Sequence, residues 1–488
     1  MKMIYQVSDR PGFSKTVVFA IQQLLAIMAA TLVVPVIINS NPDIMAIHGN
    51  VGMSPAAALF GAGVGTLVYL LFTKFKSPVF LGSSFAFISS MVAAFAGATT
   101  VAVGYLGILF GAIFAGLVYV IIAIIVKYAG AGWINKLMPP VVIGPTVAII
   151  GLSLASNAVG DLQNGDVFKQ IVETIKYTNA EGAIESVENY TSVSSANPLI
   201  AILCGLVTLF TVILCSTFGK KMAKLIPFII GIGAGYVVAA IFTVIGIATN
   251  NNALQLIDFS NFTALWADGV SLSTFVALPD FTFFEAFGAF GELNGAYIGT
   301  IAVAYMPVAF VVFAEHIADH KNISSIIERD LLEEPGLSRT LLGDGIGSMA
   351  GAFFGGCPNT TYGESVACVA ITRNASVVTI FFAAIGAILI SFLSPFVALV
   401  NSIPSCVMGG VCIALYGFIA VSGLKMIGGI DLGQNKNLFV VSTILICGIG
   451  GLVINIGAIT ITAIAVALIL GIIVNLALSK AKVESTEE

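Results

Sequence analysis

Two short stretches carry the side chains in this sequence that could do chemistry. The first is Gly355–Arg373, GGCPNTTYGESVACVAITR, set in a chain that is otherwise strongly apolar. It runs from two glycines and Pro358 through three side-chain hydrogen-bonders (Asn359, Thr360, Thr361) to Tyr362-Gly363-Glu364 and an apolar helical run. Gly and Pro break regular structure, and a backbone that breaks within a membrane must line a buried or watery cavity. A carboxylate at that depth is costly, so Glu364 is expected to mark a functional site. The competing reading is an ordinary loop outside the membrane.

The second stretch is Phe310–His320, in which Glu315 follows a long apolar run. Asp319 lies four residues on and shares a helix face with Glu315, and His316 and His320 form the neighbouring stripe. Two carboxylates and two imidazoles over six residues could form a proton relay. A carboxyl of this run facing Glu364 would be one that takes up a proton before ligand binds or a carrier reorients, which is the chemistry of proton-coupled transport. The Glu315–Glu364 pair could also accept from N–H donors on a planar ligand, with Tyr362 or Phe85 as a stacking face. The competing reading of Glu315 is an interfacial charge snorkelling to the inner surface, near the end of its helix.

The elements that must position these residues follow from composition. Of 488 residues, 58% are hydrophobic and only 9% are charged, where soluble domains carry roughly 25% charged residues. This is an all-α polytopic membrane protein by its many separated apolar runs. Spans are expected near 16–38, 55–73, 79–95, 103–126, 138–156, 197–217 and 226–248. A second set falls near 293–318, 340–356, 361–376, 377–394, 403–423, 437–454 and 457–478.

Positive charge tests the count of fourteen. With cytoplasmic termini, the inside segments hold Lys2, Arg10, Lys15, Lys74, Lys76, Lys127, Lys136, Lys220, Lys221, Lys224, Lys321, Arg329, Arg339, Arg373, Lys425, Lys436, Lys480 and Lys482. Of the 20 basic residues, only Lys169 and Lys176 fall outside. A wrong count would scramble that pattern. Two long outside segments, 160–197 and 249–292, read as extracellular caps, and Ser324–Arg339 reads as a charged connector inside.

Seven spans per half invert the second half relative to the first, and matching interruptions in inverted halves point to a binding site. Span three contains Leu81-Gly82-Ser83-Ser84-Phe85-Ala86-Phe87 and span ten contains Asn359–Glu364. Each joins small hydroxyl residues to an aromatic at the third span of its half. Short extended stretches opening onto half-helices would present free N–H groups to a ligand.

Other classes are excluded. Net charge of −5 gives no sign of nucleic-acid binding. The seven cysteines (204, 215, 357, 368, 406, 412, 447) have no CxxC spacing and read as small buried hydrophobes. No metal, cofactor or nucleophile constellation suggests an enzyme. Met1–Lys15 is polar and the first apolar run is long enough to span, so no cleavable signal is expected.

The motifs themselves carry a resemblance. FLGSSFAFIS at 80–89, AEHI at 314–317, DLLEEPGL at 330–337, NTTYGE at 359–364, AITR at 370–373, LYGFIAVSG at 415–423 and the QNKNL run resemble bacterial uracil permeases of the nucleobase–ascorbate transporter family. The likeness extends from Arg10 to about Asn475 in the same order. It implies fourteen spans in two inverted repeats, divided into a core domain that holds substrate and a gate domain that mediates dimerisation. On that division 1–156 holds the first core spans and the start of the gate, and 157–292 the gate spans and outer loops. Residues 293–394 then hold the second core spans, and 395–488 the second gate spans and the cytoplasmic tail.

The resemblance further implies import of uracil by symport with protons or sodium across a bacterial inner membrane, with no cofactor. Glu315 and Glu364 would hydrogen-bond the pyrimidine together with backbone groups of Phe85 and Gly363. Tyr362 would support the site and Tyr416 would approach from the gate. Two departures stand out. Where the family pattern has a His four residues after the first site Glu, this chain has Asp319, with His320 one step beyond; either takes the proton-coupling role beside Glu315. The family signature also expects Asn and Gly where this chain has Ser365 and Ala367. A xanthine or urate carrier of the same family is the near alternative. An anion carrier of related architecture is the remote one, disfavoured by two site carboxylates.

Overall fold

The computed structural model describes residues 3–130, 132–133, 137–178, 184–220, 222–267, 269–457 and 459–480. Lys2, Lys136, Lys221 and Lys482 of the charge pattern lie outside the described residues. The main helices of the first half are α1 (Phe13–Asn39), α2 (Pro55–Phe72), α3 (Ile88–Ala96), α4 (Val101–Ala129), α5 (Pro140–Ser153), α6 (Pro198–Phe218) and α7 (Pro227–Ala248). Those of the second half are α8 (Gly295–Ile327), α9 (Leu337–Phe353), α10 (Gly363–Thr372), α11 (Val377–Ser391), α12 (Ser405–Gly428), α13 (Asn435–Ile449) and α14 (Ala463–Ala477).

Eight of them are long and apolar enough to cross a membrane: α1, α2, α4, α5 with its continuation to Asp161, α6, α7, α8 and α12. Five shorter apolar helices (α3 with its preceding turn, α10, α11, α13, α14) fill out the bundle. Their starts are written in the sequence. Pro stands in the first turn of α2, α5, α6 and α7, where its missing N–H costs nothing. Ser54, Thr100, Asn197 and Asn294 accept from backbone N–H groups of the helices that follow them.

The fold is not purely helical. Among the described residues three two-stranded antiparallel sheets interrupt it: β1 (Leu81–Ser83) with β4 (Asn359–Thr361), β2 (Phe168–Thr178) with β3 (Ile184–Ser194), and β5 (Ile454–Ile456) with β6 (Ile459–Ile461). The last pair shortens the helices expected over 437–454 and 457–478. Alternating Ile and Thr favour strand over helix there, and Gly457 takes a positive φ of 61° in the turn. The loop after Asp161, expected only as a polar cap, contains the β2–β3 hairpin.

The helices pack in two groups. Around the β1–β4 pair stand α1, α2, α4, α8, α9 and α11, with α2 against α9 and α11, and α9 and α8 against α4. The second group is α5, α6, α7, α12, α13 and α14, with α12 against α5, α6 and α7. The groups meet where α1 touches α7 and α12, and where α8 touches α5 and α14. One crossing sets the site. At Gly61 a Cβ would lie 2.4 Å from the Gly351 carbonyl oxygen, so α2 and α9 approach more closely than any side chain allows. Asn359 of β4 fits into this crossing and donates its amide to the Gly61 carbonyl at 3.0 Å. All seven cysteines are free thiols and five are buried.

Candidate functional site

The two broken stretches find each other. Leu81, Gly82 and Ser83 of β1 pair in register with Thr361, Thr360 and Asn359 of β4. Ser84 N–H donates to the Pro358 carbonyl at 2.9 Å, and Tyr362 N–H to the Phe80 carbonyl at 3.2 Å. The strands run antiparallel and so end on opposite sides of this short ladder, and each opens directly onto a helical turn: Phe85–Phe87 leading into α3, and Gly363 starting α10. No side chain caps either start, so both helix N-termini present free backbone donors, and Phe85 and Gly363 border one cavity from its two sides.

A cavity of about 480 Å³ lies there. Glu315 and Asp319 enter it from α8, Glu364 and Gly363 from α10, and Thr360, Thr361 and Tyr362 from the β4 side. Ser84 and Phe85 line it below β1, and Ile143, Val147, Leu415 and Phe418 close it from α5 and α12. Lys224 is the one cationic side chain among the described residues that line it. Because α8 runs on to Ile327, Glu315 sits well inside a 33-residue helix and not near its end, as expected from a span closing at 318. Of the connector expected over Ser324–Arg339, the first four residues continue α8 to Ile327, with the Ser324 hydroxyl donating to the His320 carbonyl.

Each carboxylate element is braced. The Thr361 hydroxyl donates to Asp319 Oδ2 at 2.8 Å, tying β4 to α8. The Tyr362 hydroxyl donates to the Ser83 carbonyl at 2.7 Å, and Thr31 Oγ1 lies 3.5 Å from it. Ser365, next to Glu364, is buried and accepts from the Phe80 N–H at 3.1 Å and from the Gln23 amide of α1. Ser365, Gln23 and Thr31 went unnoticed as site supports. Their signal was only a polar side chain inside an apolar run.

Two expected residues lie elsewhere. His320 is buried away from the cavity, with Nδ1 2.8 Å from the His316 carbonyl and Nε2 2.7 Å from the Tyr69 hydroxyl. A carbonyl only accepts, so Nδ1 carries the proton and Tyr69 donates to Nε2 in the neutral ring. Tyr416 does not line the cavity either; its ring meets that of Phe85 edge-on at 6.3 Å, so it backs the wall.

Behind Glu315, His316 and Asp344 form a fully buried pair at 2.7 Å between α8 and α9. His316 Nε2 lies 2.9 Å from the Thr340 hydroxyl, which itself donates to the Leu337 carbonyl. Nε2 is therefore the donor to Thr340, and one further proton is shared between Nδ1 and Oδ2. Asp344 was missed although a carboxylate in the Gly-rich run 340–356 satisfies the same rule that singled out Glu364.

Comparison with known proteins gives the family. Residues 14–457 match the Permease family. The chain belongs to it. Similar relatives include the uracil permease of Bacillus caldolyticus, 37% identical over 98% of this chain and 95% of that one. The uracil permease of Bacillus subtilis (strain 168) is 36% identical over 99% and 96%, and that of Escherichia coli (strain K12) 33% over 96% and 92%. The resemblance seen in short motifs thus extends across the length of the permease, which is a multi-pass membrane transporter and not an enzyme. Among solved structures, the transmembrane domain of the cyanobacterial bicarbonate transporter BicA aligns over 96% of this chain and all of that one, with TM-score 0.55 and 14% identity. Murine Slc26a9, an anion transporter in the inward-facing state, aligns over 97% of this chain and 69% of its own, with TM-score 0.61 and 10% identity. At such identities these two establish the fold alone.

Proposed function

We propose that this permease imports uracil by proton symport with alternating access. The observation that carries the reading is the convergence of Glu315, Asp319 and Glu364 on one 480 Å³ cavity fed by two helix N-termini. Uracil is a flat ring with two N–H donors and two carbonyls. Carboxyls accept from the N–H groups and backbone N–H groups of Phe85 and Gly363 donate to the carbonyls. The volume falls in the range of small-molecule sites, and the names of the relatives point to the same base.

On this reading the protein has fourteen spans in two inverted repeats with cytoplasmic termini in the bacterial inner membrane. The helices around β1–β4 are the core, and α5–α7 with α12–α14 are the gate, which also forms a homodimer. Asp319, in the cavity and bonded to Thr361, takes the proton-coupling role with Glu315 rather than His320. An anion as cargo, suggested by the names of the structural neighbours, is opposed by three carboxyl groups in one low-dielectric cavity.

Radiolabelled uracil uptake into proteoliposomes, with and without an inward proton gradient and with unlabelled xanthine as competitor, tests the reading. Gradient-driven uptake that xanthine leaves intact and Glu364→Gln abolishes is the expected result. Uptake unchanged in Glu364→Gln would sink the site, and displacement by xanthine would mean another base. Proton uptake that persists in Asp319→Asn would remove Asp319 from the coupling.

A further inference from the structure

Residues 249–292, between α7 and α8, contain no Lys or Arg but many aromatic and aliphatic side chains. Short helices at Ser260–Ala264, Leu272–Phe275 and Phe283–Gly288 break the segment up. Leu256 and Ile257 are buried, but from residue 266 on many of its large apolar side chains stay outside the protein: Leu272 is 80% exposed, Leu278 77%, Phe284 72%, Val270 71% and Trp266 50%. An apolar patch of this kind marks an interaction surface.

The segment is nonetheless fixed along its other side. Ala277 N–H donates to the Phe392 carbonyl at 3.0 Å, Val276 bridges Leu393, and Ser394 Oγ donates to the Ser273 carbonyl at 3.0 Å. The Phe281 ring meets Phe60 of α2 at 4.9 Å, and Phe283 stacks on Phe353 of α9 at 5.1 Å. The segment is therefore held against the ends of α2, α9 and α11. Its exposed apolar side chains continue directly into those at the end of α11, where Leu389 is 64% exposed and Leu393 also stands open. In a multi-pass membrane protein that helix surface faces lipid.

We infer that residues 260–290 lie in the plane of the membrane interface, with Trp266, Leu272, Leu278 and Phe284 inserted at the boundary of headgroups and acyl chains. Trp favours that boundary because its ring is apolar and its N–H polar. With Asp258, Asp280, Glu285 and Glu292 exposed and no cation in the segment, attraction to anionic headgroups contributes nothing. The partner is the apolar edge of a zwitterionic lipid surface, and pure phosphatidylcholine suffices.

The chain has two tryptophans, Trp133 and Trp266, so a Trp133→Phe variant in phosphatidylcholine nanodiscs reports on Trp266 alone. Lipids brominated near the headgroup should remove about half of its emission, those brominated near the chain end far less, and iodide little, as for a ring buried ~5–10 Å into the boundary. Free quenching by iodide with no bromine effect would place the segment in water and overturn the inference. Protection from both quenchers would overturn it too, because protein would then cover the ring. If Trp133→Phe does not fold, the difference between the native chain and Trp266→Phe gives the same reading. The result is independent of which solute is carried.

Discussion

In a Gly82→Ala variant a single methyl group would enter the tight gap behind Tyr362, which lines the cavity. That Cβ would stand 2.4 Å from Cε2 and 2.5 Å from Cζ of Tyr362, and 2.9 Å from Thr31 Oγ1. Carbon atoms pack at about 3.5–4.0 Å, so the ring must retreat by roughly 1 Å. Its hydroxyl is tied to the Ser83 carbonyl and its backbone N–H to the Phe80 carbonyl. The open space next to it is the cavity that Tyr362 lines. In the empty protein the ring tilts into that space at small cost; a ligand must then push it back against the methyl group. Overpacking of this size costs about 1–3 kcal/mol, which lowers affinity roughly 5- to 150-fold. Calorimetric titration with uracil, the proposed cargo, alongside thermal unfolding separates the two effects: binding should weaken while the melting temperature barely moves. Gly417→Ala is the control, because a Cβ there meets nothing; it should leave affinity unchanged. Unchanged affinity in Gly82→Ala with a lowered melting temperature would refute the reasoning, since the strain would then sit in the bundle and not at the site.

Two further perturbations test other parts of the molecule. His316→Leu leaves buried Asp344 without a partner on either oxygen, and breaking a buried pair this way should cost about 3–5 kcal/mol in thermal unfolding; adding Asp344→Leu should recover most of it, and a single variant as stable as the native chain would contradict the pairing. Asp166, in the loop after α5, accepts from the N–H and hydroxyl of Ser405, yet burial pushes its carboxyl up from 3.8 to about 6. A raised acid binds its proton more tightly folded than unfolded, so its contribution is full below about pH 4 and is lost as pH rises through 6. Asp166→Asn should therefore gain stability relative to the native chain between pH 4 and 7, by at most about 3 kcal/mol, and a difference that stays flat over that range would be inconsistent with the burial.

The parts of the site that the sequence announced are those whose cost is local. A carboxylate in an apolar run, a Gly-Pro break and an i, i+4 acid pair are visible without knowing the fold, and the structure brings Glu315, Asp319, Glu364, Gly363, Tyr362 and Phe85 to one cavity. What could not be read depends on partners far along the chain. Gln23 meets Ser365 across 342 residues, and nothing near His320 in sequence says that Tyr69 turns it away from the cavity. The length of α8 was misjudged for a different reason. Polar residues after 318 look like the end of a span when judged by hydropathy, whereas His320 and Ser324 bond back to carbonyls of the same helix and extend it. The β5–β6 hairpin was hidden because Ile and Thr are as apolar on average as a span, and hydropathy does not distinguish a β-branched alternation from a helix.

The division of chemistry between the two helix groups bears directly on how a ligand could be moved. Among the described residues, every carboxyl group that lines the cavity belongs to the group around β1–β4, as do both helix N-termini, because α10 packs on α1 and α8, and α3 on α4 and α8. The opposite wall, from α5, α12 and the start of α7, is apolar apart from Ser422 and Lys224: Ile143, Val147, Ile150, Phe228, Leu415 and Phe418. Directional bonds to the proposed ring would therefore be made by one group and non-directional contacts by the other. If the groups slide past one another, the hydrogen bonds travel with the ligand and stay made, while apolar contacts are exchanged at about 25 cal/mol per Å². Had the carboxyls been split between the walls, each passage would break charge-assisted hydrogen bonds worth about 1.5–3 kcal/mol apiece. On the proposed alternating access, a wall of exchangeable contacts would keep the barrier to motion low, and the braces from Gln23, Phe80, Ser83 and Thr31 would hold the polar half together as a unit.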